Sequence, residues 1–307
     1  MKEIPKSPIN NNNLKPFISC EDYTVSRETF SIFIDEESEL LITTPRPELT
    51  ELAKYYESED YISHSNTNKT FIDKVYQRVR SFTIKKKVKL INSFNGEEKT
   101  ILDIGAGTGD FLLACKNNNW KITGIEPNEN ARAIANSKIN KKDSNSKIFD
   151  KVEDVLNNTQ SSNSKNFDVI TMWHVLEHVP NLTEYISQLK SLLKPNGTLI
   201  IAVPNFKSYD ATYYKKFWAA YDVPRHLWHF SRKSIADLFR KEKMEVVKML
   251  PMKFDSYYVS LLSEKYKNGK VNLFKALFIG FKSNFKAKTT KESSSHIYII
   301  KNHQTPF

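Results

Sequence analysis

Residues 101–114 read ILDIGAGTGDFLLA, and this stretch decides how the rest of the 307-residue chain is read. An apolar, β-prone run ends at Asp103-Ile104, glycines follow at 105, 107 and 109, and a helical pattern begins at once. Glycine allows positive φ and lets the backbone approach a ligand at the amino end of a helix. Nineteen residues after Gly107, at the end of the next apolar run, GIEPN places Glu126 where a carboxylate can accept hydrogen bonds from both hydroxyls of a ribose. Strand, loop, helix, strand and acid come in the order that a nucleoside-bearing ligand requires.

Outward from that loop, short apolar strands alternate with helical patterns. Strands are expected at 100–104, 121–125, 147–149, 167–172, 198–203, 245–250 and 296–300, and helices at 110–118, 129–139, 182–193 and 233–243. Asn181 and Glu184 resemble a capping box for the third helix, and Pro195-Asn196-Gly197 closes it. Such alternation implies an α/β fold with a mostly parallel, doubly wound sheet.

Two features argue for a cofactor other than a dinucleotide. Asp103 directly precedes the loop, where it suits a cation better than a pyrophosphate, and no P-loop lysine follows. S-adenosylmethionine carries a ribose and an ammonium group but no phosphate, and it meets both conditions.

With ILDIGAGTGDF, GIEPN, FDVITMWHVLEHVPN, LLKPNGTLIIAVPN and VPRHLWHFS in this order, the chain resembles the class I S-adenosylmethionine-dependent methyltransferases. The likeness covers about residues 100–250 and is to the branch of ubiquinone-pathway O-methyltransferases and related bacterial proteins. It implies a Rossmann-like methyltransferase sheet of seven strands with the last one antiparallel. It also implies a cofactor site of Asp103, Gly105, Ala106, Gly107, Gly109, Glu126, Pro127 and Trp173, the last beside the adenosyl region.

The stretch WHVLEHVP, residues 173–180, contains H-x-x-E-H, a pattern that serves as a zinc site when both histidines share a helix. The β-prone VITM before it and Pro180 after it leave room for at most one or two turns. Glu177 and His178 match the Glu-His of the quinone O-methyltransferases, whose E-x-x-E-H version is linked to a divalent cation. His174 stands here in place of the first glutamate, so no metal is expected. A metal, a substrate contact or base at His178, and plain packing all remain open at this stage.

The segment AAYDVPRHLWHFS, after the fifth strand of the domain, gathers Asp222, Arg225, His226 and His229 near the sheet edge where ligands bind open α/β folds. The expected catalytic set is His226 as preferred base, His178 as second base, and Arg225 as holder of an anionic substrate group. A structural Arg225–Asp222 pair is the alternative.

Hydrophobic residues make up 39% of the chain, and Lys plus Arg exceed Asp plus Glu by 46 to 35, a net charge of +11. Two cysteines, Cys20 and Cys115, argue against a disulfide framework and point to a reducing, cytoplasmic setting. No apolar segment resembles a secretory signal or reaches the roughly 18 residues of a membrane span.

Residues 1–18 read as a disordered lead, and 19–69 as a hairpin and lid appendage with a helix around 48–56. The appendage resembles a degenerate zinc ribbon that keeps Cys20 but holds Asp35 and Ser38 where cysteines would stand, so it is expected to carry no metal. A long basic helix follows at 70–94. Before the last strand an insertion at about 256–292 sets Leu273, Phe274, Leu277, Phe278, Phe281 and Phe285 near one helical face, with Lys275, Lys282, Lys286 and Lys288 around it. Peripheral membrane contact through 271–288, a lipid-like substrate, or a simple cap helix would each account for it.

The function expected is methyl transfer to a small molecule, at a hydroxyl of a lipid-like, quinone-like or glycan-type acceptor. Against a nucleic-acid methyltransferase stand the absence of an N/D-P-P-Y/F motif and of a catalytic Pro-Cys. An inactive cofactor-binding protein is the third class.

Overall fold

β4 (Thr100–Ile104), the strand that delivers the glycine loop, is an interior strand of a seven-stranded sheet. The computed structural model describes residues 5–48, 51, 53–56, 71–94, 96, 98–140, 146–160 and 167–303. Parallel ladders join β4 to β5 (Lys121–Ile125) on one side and to β7 (Phe167–Trp173) on the other. They extend to β6 (Lys147–Phe149) and β8 (Leu193–Pro204). β11 (Ser295–Asn302) runs antiparallel between β8 and β10 (Met244–Pro251), giving the order β10-β11-β8-β7-β4-β5-β6.

Alternating side chains of the central strands enter two separate cores. Ile101, Val169 and Ile200 pack with α1 (Phe71–Ile91), α2 (Asp110–Lys116) and α3 (Glu129–Ile139), while Leu102, Ile104, Ile170 and Met172 face α5 (Leu182–Leu192) and α7 (Arg232–Lys241). Burial on both faces explains why apolar side chains stand on both faces of these strands instead of on one alone. From β4 the chain winds one way through β5 and β6, and from β7 it winds the other way. The carboxyl ends of β4 and β7 therefore open a crevice at the switch point.

A second sheet, in the order β1-β2-β3-β9, is built from β1 (Lys15–Glu21), β2 (Thr29–Asp35), β3 (Leu40–Thr44) and the short β9 (Trp228–His229). Because β9 belongs to VPRHLWHFS, the amino-terminal unit is stitched into the main domain rather than hung from it. The disordered lead needs correction over its described part: Ser7 is buried and donates to Asp35, and β1 already begins at Lys15. Asp35 also accepts from Ser38, so a carboxylate and hydroxyls tie the turn where a zinc ribbon would use thiolates.

Of the helix expected around 48–56, the described residues include Glu51, which is helical, and a 3-10 turn at Ala53–Tyr56, while the lid expected at 57–69 lies outside the described residues. The capping box is replaced by a side-chain pair, Asn181 Nδ2 to Glu184 Oε2 at 2.7 Å. Four further α-helices lie among the described residues: α4 (Val152–Gln160), α6 (Tyr209–Tyr214), and in the insertion α8 (Asp255–Asn268) followed by α9 (Leu273–Thr290).

Candidate active site

The glycine loop curls back on its own sheet, with Gly105 N and Ala106 N both donating to Ile125 O at 2.8 and 2.9 Å. Its glycines have φ of +75°, +53° and +79°, a region L side chains avoid. They differ in what surrounds them. A Cβ on Gly105 would lie 2.5 Å from Val175 Cγ2 and one on Gly109 2.9 Å from Ala135 Cβ, whereas nothing stands within 4 Å at Gly107. Gly105 and Gly109 are packing requirements, and Gly107 is the face left open.

Glu126 sits beside that open face. Its Oε2 accepts Gly107 N at 2.7 Å and its Oε1 accepts Asn128 N at 2.9 Å, which fixes the carboxylate at the lip of the crevice. Pro127, next to it, is exposed. Asp103 is buried and accepts the Thr171 hydroxyl at 2.6 Å. Burial pushes its carboxyl up to about 7, against the pull of Thr171 and Lys87.

Trp173 closes the other side, edge-on to Phe111 with ring centroids 5.7 Å apart. Lys87, from α1, holds its ammonium 4.2 Å from the indole centroid, and burial lowers its pKa to about 8. The Trp173 indole N–H is buried without an acceptor among the described residues. Such a donor costs about 1–3 kcal/mol unless something in the crevice accepts from it. An open glycine face, a fixed carboxylate and an orphaned donor together fit a nucleoside-bearing ligand.

WHVLEHVP forms no zinc helix. Leu176–His178 is a single 3-10 turn, ended by an extended Val179 before Pro180. The two histidines therefore look in different directions. His174, at φ +59°, bridges two carboxylates, with Nδ1 3.3 Å from Glu177 Oε1 and Nε2 3.0 Å from Asp255 Oδ2. Burial opposes the imidazolium charge, yet Asp255 and Glu177 raise its pKa to about 10.

His178 turns toward the amino-terminal unit, its Nδ1 3.1 Å from both Tyr56 Oη and Arg225 O. Burial and the nearby His226 lower it to about 4, so its ring is neutral. The His178 and His226 rings meet edge to face at 4.6 Å.

His226 reaches this place because its segment is clamped from both sides. Leu227 N donates to Glu177 O at 2.8 Å, Thr43 of β3 donates its hydroxyl to His226 O at 2.7 Å, and Trp228 Nε1 donates to Val179 O at 2.6 Å. His226 Nδ1 lies 2.9 Å from Ala220 O. A carbonyl only accepts, so Nδ1 carries the proton and Nε2 keeps a free lone pair. His229, by contrast, is a buried partner of Thr43 at 3.0 Å.

Glu177, His178 and His226 offer one ligand atom each within 4.8 Å of one another. Glu177 is fully buried, and neither of its oxygens accepts a hydrogen bond among the described residues. Burial pushes its carboxyl up, but the His174 cation, helped by the other imidazoles, holds it below the usual range. One carboxylate with two imidazoles is a donor set that suits a divalent transition metal. The expectation of no metal rested on His174 standing in place of the first glutamate, whereas the third donor, His226, lies 48 residues downstream of His178.

Arg225 is placed differently from its expected role. Its side chain is 1% exposed, with Nε donating to both Asp222 oxygens at 3.1 Å, Nη1 to Tyr55 O at 2.9 Å, and Nη2 to Asp22 at 2.8 Å and Asp222 at 2.6 Å. The guanidinium fastens the amino-terminal sheet to the site and does not face a substrate anion. Lys87 and Asp255 are the site residues that spacing alone did not single out. Both come from helices distant in sequence from the motifs.

A family model described as a methyltransferase domain matches residues 76–248. A ubiquinone biosynthesis O-methyltransferase of Actinobacillus pleuropneumoniae is 35% identical over 115 residues, covering 35% of this chain and 46% of that one. A demethylmenaquinone methyltransferase of Leptospira interrogans is 30% identical over 111 residues, 36% of this chain and 44% of that one. The matched region thus spans about half the length of these curated relatives.

Among solved structures, magnesium protoporphyrin IX methyltransferase from Synechocystis with bound SAH aligns with a TM-score of 0.53 at 14% identity, over 83% of this chain and all of that one. A putative sarcosine dimethylglycine methyltransferase from Galdieria sulphuraria gives 0.51 at 12% identity, over 78% and 91%. At these identities the likeness is one of fold.

Proposed function

The chain belongs to the methyltransferase-domain family whose model it matches over more than half its length, and on that premise we propose that it moves a methyl group from S-adenosylmethionine to a hydroxyl of a small molecule. The observation that carries the cofactor assignment is Glu126, fixed 2.7 Å from Gly107 N at the glycine of the loop whose face is open. In this reading Glu126 accepts from the ribose hydroxyls, the Trp173 indole covers the adenosyl region, and Asp103 faces the ammonium end. The bound cofactor supplies a methyl group already activated on a sulfonium.

The protein then has to position the acceptor and take its proton. His226 is the proposed base, because its Nδ1–H is held by Ala220 O and its Nε2 is free. As the acceptor oxygen forms its bond to the methyl carbon, the hydroxyl proton passes to His226 Nε2. The products are a methyl ether and the demethylated cofactor. His178, kept neutral, and Glu177, paired with His174, set the polarity around that nitrogen. Arg225 acts as a positioning residue that ties the His226 segment to Asp22 and Tyr55 of the amino-terminal unit.

A specific observation supports a second reading. Glu177, His178 and His226 would hold a divalent cation, His226 then serving as a ligand, and the metal would supply the Lewis acidity that favours the ionised acceptor.

Transfer of labelled methyl from S-adenosylmethionine to a panel of phenols, catechols and amines of varied lipophilicity tests the proposal. O-methylated products are expected, with turnover at neutral pH reduced about 10²–10⁴-fold in His226→Gln. N-methylated or C-methylated products, or an unimpaired His226→Gln, would remove the hydroxyl reading.

A further inference from the structure

Surface helices usually turn their large apolar residues inward and their charges outward. α9 does the reverse. Its buried face is made of Ala276, Ile279, Gly280 and Ser283, and a Cβ on Gly280 would stand 2.9 Å from Tyr257 Cα of α8. Close packing of small residues on α8 leaves the large ones outside. Phe274 is 86% exposed and Phe278 61%, with Leu273, Leu277, Phe281 and Phe285 also exposed along the same side. The insertion is therefore more than a cap over the domain, because a cap would bury these rings.

The exposed charge around the stripe is basic, Glu264 being buried 3.7 Å from Lys275. Residues 265–291 contain eight lysines and no aspartate or glutamate, in a chain whose whole net charge is +11. Within α9, Lys282 and Lys286 lie beside the stripe with their ammonium groups over the Tyr209 ring, and Lys288 lies by Phe285. No described helix is long and apolar enough to cross a membrane.

We propose that α9 docks the protein on an anionic lipid bilayer, seating its phenylalanine stripe among the acyl chains while the lysines meet the headgroups. Charge complementarity selects this occupant. A second copy laid face to face would bring eight lysines against eight, with no acid in either segment to offset them.

The seat is also tied to the candidate active site. Asn284 of α9 donates to Lys253 O at 2.9 Å and to Ser256 Oγ at 2.8 Å. Ser256 is the neighbour of Asp255, which holds His174. Near it Phe254 and Phe82 meet edge to face at 5.7 Å, both half-exposed, with Lys86 over them. Phe254 and Phe82 thus add exposed apolar surface at the amino end of α8, beside Asp255 of the site, which suits an acceptor that resides in the bilayer. The docking stands without the methyl-transfer reading, because vesicle binding is measured without turnover.

Sedimentation of the full chain with vesicles of phosphatidylcholine alone, and with phosphatidylglycerol at a third of the lipid, is the test. Binding to the anionic vesicles only is expected, weakening with added salt. Phe278→Ser with Phe281→Ser should reduce it at least tenfold while the melting temperature stays put, since both rings are already exposed. Lys282→Gln and Lys286→Gln should each reduce it about fivefold, the factor that about 1 kcal/mol per lysine corresponds to. Absence of binding to anionic vesicles overturns the proposal, as does binding that the double phenylalanine change leaves intact. A dimer dissolved by that change, or binding to single-stranded RNA without binding to vesicles, would assign the stripe to those partners instead.

Discussion

Replacing Arg225 with methionine, similar in reach and uncharged, removes every bond that ties Asp22 and Tyr55 of the amino-terminal unit to Asp222. Loss of one partner from a buried ion pair costs about 3–5 kcal/mol, because the other charge stays behind. Two features of the site favour the lower bound. Thr24 N, Val25 N and Ser26 N still donate to the Asp22 carboxylate, and the Asp222 side chain, 22% exposed, reaches water. About 3 kcal/mol is therefore expected, or a melting temperature lower by roughly 6–12 °C for a domain of this size.

Thermal unfolding of Arg225→Met followed by circular dichroism at pH 7 measures this loss, and adding Asp22→Asn should recover part of it by removing the stranded charge. The pH dependence has a definite sign. Despite burial, which pushes both carboxyls up, Arg225 and local hydrogen bonds hold Asp22 and Asp222 below the usual range. Their contribution is present above the unfolded value of about 3.9 and disappears as pH falls through the lower folded values, so parent and variant should converge only in strong acid. A variant that melts with the parent but needs far more acceptor would refute the structural role and return Arg225 to the substrate.

Three further outcomes follow from the site. Gly107→Ala should cost only about 1–2 kcal/mol, for its positive φ, while losing most of the thermal protection given by added cofactor; Gly105→Ala should cost more, because its Cβ meets Val175. The parent should lose about 1–2 kcal/mol, after discounting for solvent screening, as pH rises from about 6.5 through the folded His174 value of about 10, and Asp255→Asn should lose less in that window. Lys87 titrates there with the opposite sign, so thermal melts of parent and variant must be compared at each pH. Chelator treatment should leave turnover unchanged, because the His174 cation already sits at Glu177; loss of activity restored by one divalent metal would place an ion on Glu177, His178 and His226.

The glycine loop, Glu126 and the strand series were legible because each is a local pattern, and every expected strand of the main sheet forms within a few residues of its place. α4, with VEDVLNNTQ, escaped notice because asparagine and threonine dilute its short apolar pattern. The candidate site was half legible. Trp173, Glu177, His178 and His226 carry visible motifs, but their grouping depends on Leu227 bonding back to Glu177 and on Thr43 bonding to His226, contacts across 50 and 183 residues. The H-x-x-E-H string misled for a local reason: Pro180 ends the turn before the two histidines can share a face. Arg225 misled for a long-range one, since its partner Asp22 lies 203 residues away.

The central claim is that the crevice between β4 and β7 binds a nucleoside cofactor through Glu126. Titration calorimetry of the protein with S-adenosylhomocysteine tests it most directly. One site per chain is predicted, weakened about 30–150-fold in Glu126→Ala, which removes two hydrogen bonds to the ribose at about 1–1.5 kcal/mol each. Absence of binding heat together with no shift in melting temperature at high ligand, or parent-like affinity in Glu126→Ala, would contradict it.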